Sequence, residues 1–200
     1  RRRLQGKLAV IPNPVVLPPE GAARPPVLPP GPWLAAMGRL TEQKGFDLLL
    51  DAFATLAGHQ PGWRLAILGE GPLRQDLEAR IEHLGLQGRV WLTGQVDAPE
   101  AFLRQADLFV LPSRFEGFPM ALCEAMALGL AVVAADCPTG PREIIRDGLD
   151  GCLVPAEDPA ALAAALEQLM TQADLRARLA RRAPEILQRF GLPQVLSRWD

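Results

Sequence analysis

Histidine is scarce in this chain, cysteine is few and odd in number, and neither sign of charge dominates. Only His59 and His83 offer imidazoles, and neither stands at ligand spacing from another His, a Cys or a carboxylate, which argues against a built-in metal site. Both read as surface or helix-end residues. Cys123, Cys137 and Cys152 match no metal motif, and a chain of 200 residues has no need of disulfide staples. They read as buried thiols of a reducing cytosol. The formal charge is −2, from 21 Lys+Arg against 23 Asp+Glu, so no global field draws the protein to nucleic acid or anionic lipid. Any anion site must be local. The longest apolar run, Ala127 to Ala135, contains Gly129 and falls well short of a membrane span. No signal peptide is expected, and Arg1-Arg2-Arg3 reads as a solvated end.

What is present is a globular composition, 48% hydrophobic and 22% charged, sufficient for one substantial core. That suits one domain with an ordered extension and is too short for two full α/β lobes. Residues 12–32 hold nine prolines, which forbid regular structure and suggest an extended surface connection. Ahead of them Leu8-Ala9-Val10-Ile11 is a short strand candidate. The division expected is therefore 1–32 as strand and Pro-rich connection, 33–190 as the domain, and 191–200 as a tail.

From Trp33 onward, apolar runs alternate with helical segments. The runs are Trp33 to Met37, Leu65 to Leu68, Val90 to Leu92, Leu108 to Leu111, Ala131 to Ala134 and Cys152 to Val154. Short, continuous apolar runs suit parallel strands covered on both faces. Between them, Phe46, Leu49, Leu50, Phe53 and Leu56 make one helical stripe, and Leu73, Leu77, Ile81 and Leu84 make another. Pro99 to Gln105, Pro119 to Leu128 and Pro159 to Met170 each place Pro in a first helical turn. Asp174 to Leu187, interrupted by Pro184, reads as a helix pair or a kinked helix. The fold class is α/β, a Rossmann-like doubly wound parallel sheet of about six strands. In strand order 3-2-1-4-5-6 the crevice opens between the first and fourth strands, so ligand residues should follow Met37 and Leu111.

Unusual residues sit at those two places. Gly38 to Phe46 puts Arg39 and Lys44 in a loop that ends in a helix N-terminus, a combination suited to a diphosphate. Pro112 to Pro119 carries Glu116, and the following helix carries Glu124 eight residues on. Carboxylates accept paired hydroxyl hydrogen bonds, as vicinal diols require, while a surface Glu and a helix-capping Glu are the plainer alternative. Other loops say less. Gly69-Glu70-Gly71-Pro72 is a tight turn whose structural reading outweighs a nucleotide contact, since it lacks a third glycine and a Walker lysine. Thr93-Gly94-Gln95 either passes near a base or simply turns, and Pro138 to Glu143, with Arg142, is evenly balanced between substrate contact and structure.

Together these segments resemble the C-terminal, donor-binding half of the family 4 retaining glycosyltransferases, glycosyl transferases group 1, of the two-domain GT-B type. The matching stretches are GRLTEQKGFDLLLDAF from 38, GEGPLRQDLE from 69, ADLFVLPSRFEGFPMALCEAMALGLAVVAAD from 106 and PREIIRDGLDGCLV from 141, with the family's E-x7-E motif as Glu116 and Glu124. Pro14 stands where the family more often has Gly. The resemblance implies that Arg39 and Lys44 hold the donor diphosphate as it leaves, that Glu124 binds ribose hydroxyls, and that Glu116 binds the donor sugar. It also implies donor contacts from Gly38, Gly71, Thr93, Gly117, Phe118, Pro119, Met120, Ala121 and Leu122, several through backbone N–H groups.

The implied partners are a nucleotide-sugar donor, expected to be UDP-linked, a glycan or lipid-linked acceptor of bacterial polysaccharide or glycoconjugate synthesis, and an N-terminal lobe that these residues do not include. No nucleic acid is expected. No Asp-x-Asp motif occurs, so transfer without a metal or other cofactor is expected, in the cytoplasm or at the inner membrane surface. Thr139-Gly140-Pro141 replaces the family's more usual Gly-Gly. Alternatives are an epimerase or phosphorylase on a related fold, or a nucleotide-binding module without catalysis. A dinucleotide dehydrogenase is disfavoured by the missing glycine fingerprint after Met37.

Overall fold

A computed structural model describes residues 11–17 and 29–199. Six strands, β1 (Trp33–Met37), β2 (Arg64–Leu68), β3 (Val90–Gly94), β4 (Leu108–Leu111), β5 (Ala131–Asp136) and β6 (Cys152–Pro155), form one sheet in the order β3-β2-β1-β4-β5-β6. Every pairing is parallel. The order and the apolar runs agree with the sequence reading, and four strands differ from it by one or two residues at one end.

Side chains alternate across these strands, and the two faces bury separate cores. One takes Leu34 and Ala36 of β1 with Leu108 and Val110 of β4, against α1 (Phe46–Ala57), α2 (Arg74–His83), α6 (Pro159–Thr171) and α7 (Ala173–Arg182). The other takes Trp33, Ala35, Phe109 and Leu111, against α3 (Pro99–Leu103), α4 (Met120–Ala127) and α5 (Pro141–Ile144). Leu49, Leu50 and Phe53 of α1 are fully buried, each contributing about 1.5–3 kcal/mol through removal from water. This double cover explains why the strands read as continuous apolar runs.

Three departures have local causes. Pro184 cannot donate a backbone hydrogen bond, so α7 ends at Arg182, a 3-10 turn spans Ala183–Ile186, and α8 (Leu187–Phe190) follows. The bend expected after β5 contains α5, one turn long, with Pro141 at its start. The expected tail is corrected as well: Leu192–Leu196 is a helix, α9, with Val195 buried. Val15 N donates to Phe190 O at 2.8 Å and Val15 is 2% exposed, so part of the Pro-rich connection packs on the C-terminal helices. The strand expected at Leu8–Ile11 lies, apart from Ile11, outside the described residues. Cys123 and Cys137 are buried, Cys152 only partly, and all three are free. Among the described residues no helix is long and apolar enough to cross a membrane.

One ionic knot ties the C-terminal helices to the sheet. Asp150, fully buried, accepts from Arg146 N (2.7 Å), Arg146 Nε (2.6 Å) and Arg189 Nη2 (3.3 Å), while Arg146 Nη2 also reaches Glu185 (2.6 Å). Removing one partner of such a cluster leaves the others desolvated and unpaired. Asp150→Ala should therefore cost about 3–5 kcal/mol, read as a lowered midpoint in urea unfolding; a loss within about 0.5 kcal/mol, the size of an ordinary surface change, would contradict this role.

Candidate functional site

All the strands run parallel, so their C-terminal ends and following loops share one edge of the sheet. The strand order reverses between β1 and β4, and a crevice opens there. The loops after Met37 and Leu111 meet at that point, where the sequence placed them.

Glu116 is the centre of the contact. It is 8% exposed, and its Oε1 accepts from Lys44 Nζ (2.6 Å) and from the Ser113 hydroxyl (2.7 Å). Both bonds fall on Oε1, and among the described residues none falls on Oε2. A lysine ammonium has three donors, so Lys44 can keep Glu116 and still present two to an anion. Glycine at 38 makes the approach feasible: a Cβ there would stand 3.3 Å from Lys44 Cδ and Cε. Arg39 is exposed at the tip of the same loop, and its guanidinium makes no ion pair among the described residues.

The two loops are bound to each other along their length. Arg114 N donates to Gln43 O (2.8 Å), and Gln43 Nε2 donates to Phe115 O (3.0 Å). Arg114 forks onto Asp47 at 2.8 and 2.7 Å and reaches Glu42 O at 2.8 Å. Its guanidinium holds the Asp47 carboxyl below the usual range. Gly45, between the loop and α1, has φ +64, and a Cβ there would meet Pro112 O at 2.2 Å, so only glycine fits this junction.

The loop after β5 closes the other side. The Thr139 hydroxyl donates to Glu116 O, and Glu116 N donates to Pro138 O at 3.4 Å. Thr139 itself has φ +62, a conformation that side chains other than glycine's rarely adopt. Arg142, by contrast, pairs with Asp136 at the end of β5 and is mostly exposed.

Glu124 stands differently. It sits half-buried on α4, and its carboxylate makes no hydrogen bond or ion pair among the described residues. Burial, and secondarily the Glu100 carboxylate, push its carboxyl above the ordinary range. Pro119 supplies no side-chain cap to α4; Leu122 N–H is already bonded to Pro119 O (3.1 Å), which leaves Met120 and Ala121 as the first-turn donors facing the crevice edge. Gly117 is exposed, and the Phe118 ring packs edge-on against Phe190 at 5.4 Å, so Phe118 has only its backbone to offer.

Two candidates lie apart from this cluster. Gly71 is accounted for by packing, because a Cβ there would stand 2.4 Å from Leu40 O. Thr93 is exposed on β3, two strands from β1, or about 10 Å across the sheet, with its hydroxyl donating to Gly94 O at 3.1 Å. The residues that sequence reasoning missed are Ser113, Arg114, Asp47, Gln43 and Thr139's hydroxyl. Apart from Ser113, which bonds Glu116 three residues on, their partners lie far along the chain, and no local spacing signals them.

Comparison with known proteins decides the family. A family model described as glycosyl transferases group 1 matches residues 27–186. The chain belongs to that family. An exopolysaccharide phosphotransferase of Streptomyces coelicolor is 39% identical over 97% of this chain and 20% of its own length. The amylovoran biosynthesis glycosyltransferase AmsD of Erwinia amylovora is 34% identical over 82% of this chain and 46% of its own length. This group 1 glycosyltransferase domain thus spans half or less of those two relatives. Among solved structures, S. aureus TarM, in complex with fondaparinux, alpha-GlcNAc-glycerol and UDP, superposes with TM-score 0.81 at 26% identity, over 84% of this chain and 34% of that one. The Rossmann-like sheet is that of one lobe of a GT-B glycosyltransferase.

A raised carboxyl favours the protonated form in the fold, so Glu124 burdens the folded state once it ionises. Its contribution is fully favourable below about pH 4.5, its ordinary value, and is lost as pH rises through the folded pKa. Glu124→Gln, which stays neutral, should be more stable than the parent in urea at pH 7 and equal to it near pH 4. A variant less stable at pH 7 would contradict the unpaired state of this carboxylate.

Proposed function

We propose that this domain binds the donor of a retaining glycosyltransferase that moves a sugar from a UDP-linked donor to a glycan or lipid-linked acceptor in bacterial polysaccharide or glycoconjugate synthesis. One observation carries the reading. Lys44 and Glu116 are held together at the sheet reversal beside a half-buried Glu124 whose carboxylate has no partner among the described residues. A cation with spare donors, a carboxylate with a free oxygen and a second carboxylate awaiting hydroxyls match, in turn, a diphosphate, a sugar and a ribose.

In this reading Arg39 and Lys44 neutralise the diphosphate, helped by the N-terminus of α1 and the uncapped first turn of α4. Glu116 Oε2 accepts from a hydroxyl of the donor sugar, and Glu124 accepts from the ribose hydroxyls and thereby gains the hydrogen bonds it lacks. Gly38, Gly117 and Pro119 line the floor, and Met120 and Ala121 offer N–H groups. Gly71 and Thr93 belong to the outer, base-side wall. The bond from the anomeric carbon to the diphosphate breaks, a bond to the acceptor hydroxyl forms on the same face, and the hydroxyl proton leaves with the diphosphate. The protein contributes orientation and stabilisation of the leaving group, and the acceptor is held by a lobe outside this chain. The TarM complex, whose bound molecules include UDP, supports the choice of base.

Calorimetric titration with UDP, GDP and ADP tests this reading. UDP should bind saturably, and Lys44→Ala and Glu124→Ala should each weaken it by about tenfold or more, the equivalent of a charge-assisted hydrogen bond of about 1.5–3 kcal/mol. Affinities within twofold of the parent in both variants would overturn the assignment.

A further inference from the structure

We propose that Arg114 is a positioning residue for Lys44: its fork onto Asp47 locks the turn that carries the lysine against the loop that carries Glu116. The inference rests on the donor-binding reading above and deepens it.

The residues that Arg114 grips bracket Lys44. Its guanidinium takes both Asp47 oxygens, at 2.8 and 2.7 Å, and Glu42 O at 2.8 Å, while its backbone N–H takes Gln43 O at 2.8 Å. Residues 42, 43 and 47 are thus fixed from one point, and Lys44 lies between them. Arg114 also stands two residues before Glu116, with its side chain 19% exposed, so one short stretch of chain holds the lysine's turn on one side and supplies its carboxylate on the other. Pro112 O, at 2.2 Å from where a Cβ of Gly45 would be, keeps the two loops from sliding together. The fork fixes their separation from the opposite direction.

The geometry distinguishes Arg114 from a support of the general fold. Its side-chain hydrogen bonds go to the first turn of α1 and the turn before it, beside one longer ion pair, 4.0 Å, to the exposed Glu157 ahead of α6, and Arg114 belongs to neither apolar core. It also requires arginine. A planar guanidinium can satisfy two carboxylate oxygens and a carbonyl in one orientation, whereas a lysine ammonium on a flexible stem cannot hold the same plane.

A favourable feature of the composition makes this testable. The whole chain has two lysines, Lys7 and Lys44, so the acetylation rate of Lys44 can be read by mass spectrometry with Lys7 as internal reference. Arg114→Lys and Asp47→Asn should each raise the Lys44 rate relative to Lys7 by about threefold or more. They should weaken UDP by about fivefold, and by less than twofold when Lys44 is already alanine, because a residue that acts through another has no separate effect once that one is gone. Thermal midpoints taken alongside register any loss of folding, which would add the same penalty with or without Lys44. Unchanged acetylation in both variants, or equal losses of affinity in both backgrounds, would overturn the proposal. If the parent chain binds no nucleoside diphosphate, the donor-binding reading fails, and the acetylation ratio alone still decides whether Arg114 positions Lys44.

Discussion

Burial of the Glu116 carboxylate is the constraint on which the site depends. A carboxylate at 8% exposure is tolerated only with partners close by, and the contacts to the side chain and backbone of Glu116 come from three loops. Lys44 comes from the loop after β1, Ser113 from the loop after β4, and Pro138 and Thr139 from the loop after β5. Holding this one residue, its carboxylate by Lys44 and Ser113 and its backbone by Pro138 and Thr139, therefore brings three loops to one place. The sheet sets where that place is: parallel strands put all loops of one kind on one edge, and the reversal of order between β1 and β4 leaves the gap in which these loops meet.

Glu116 and Glu124 carry the same functional group in opposite states. Glu116 has its bonds within the protein and serves as a fixed wall. The Glu124 carboxylate has none among the described residues and sits in surroundings that resist its charge, an arrangement that costs stability and leaves an acceptor unfilled. Such a group is informative because an internal partner would normally have been supplied where only stability mattered. Its environment makes bound hydroxyls more valuable, since a hydrogen bond in a partly desolvated site is stronger than one in open water.

The parts of this architecture that depend on local pattern were legible in the sequence. Apolar runs such as Leu108 to Leu111 marked strands because both faces are covered, and the alternation of runs with helical stripes implied the strand order. The pairs that shape the site were not legible, for the reason that they are distant: Arg114 and Asp47 are 67 residues apart, and Lys44 and Glu116 are 72 apart. Arg39 and Lys44 looked equivalent as loop cations, yet among the described residues one is exposed without an ionic partner and the other is clamped. The tail expected after residue 190 contains α9, and Val15, from a segment judged only by its prolines, bridges to Gly191 just ahead of it. Gly71 accords with the structural reading of its turn, since a Cβ there would collide with Leu40 O.

The central claim is one of place: that a nucleoside diphosphate occupies the junction of the β1 and β4 loops. Amide chemical shifts of the labelled chain, followed by NMR as UDP is added, test it most directly. The account predicts saturable shifts concentrated in residues 38–45 and 116–121, with the β6 end of the sheet unmoved. Shifts gathered instead around Asp136, Arg142 and Asp147, where a separate cavity of about 570 Å3 lies, would contradict it.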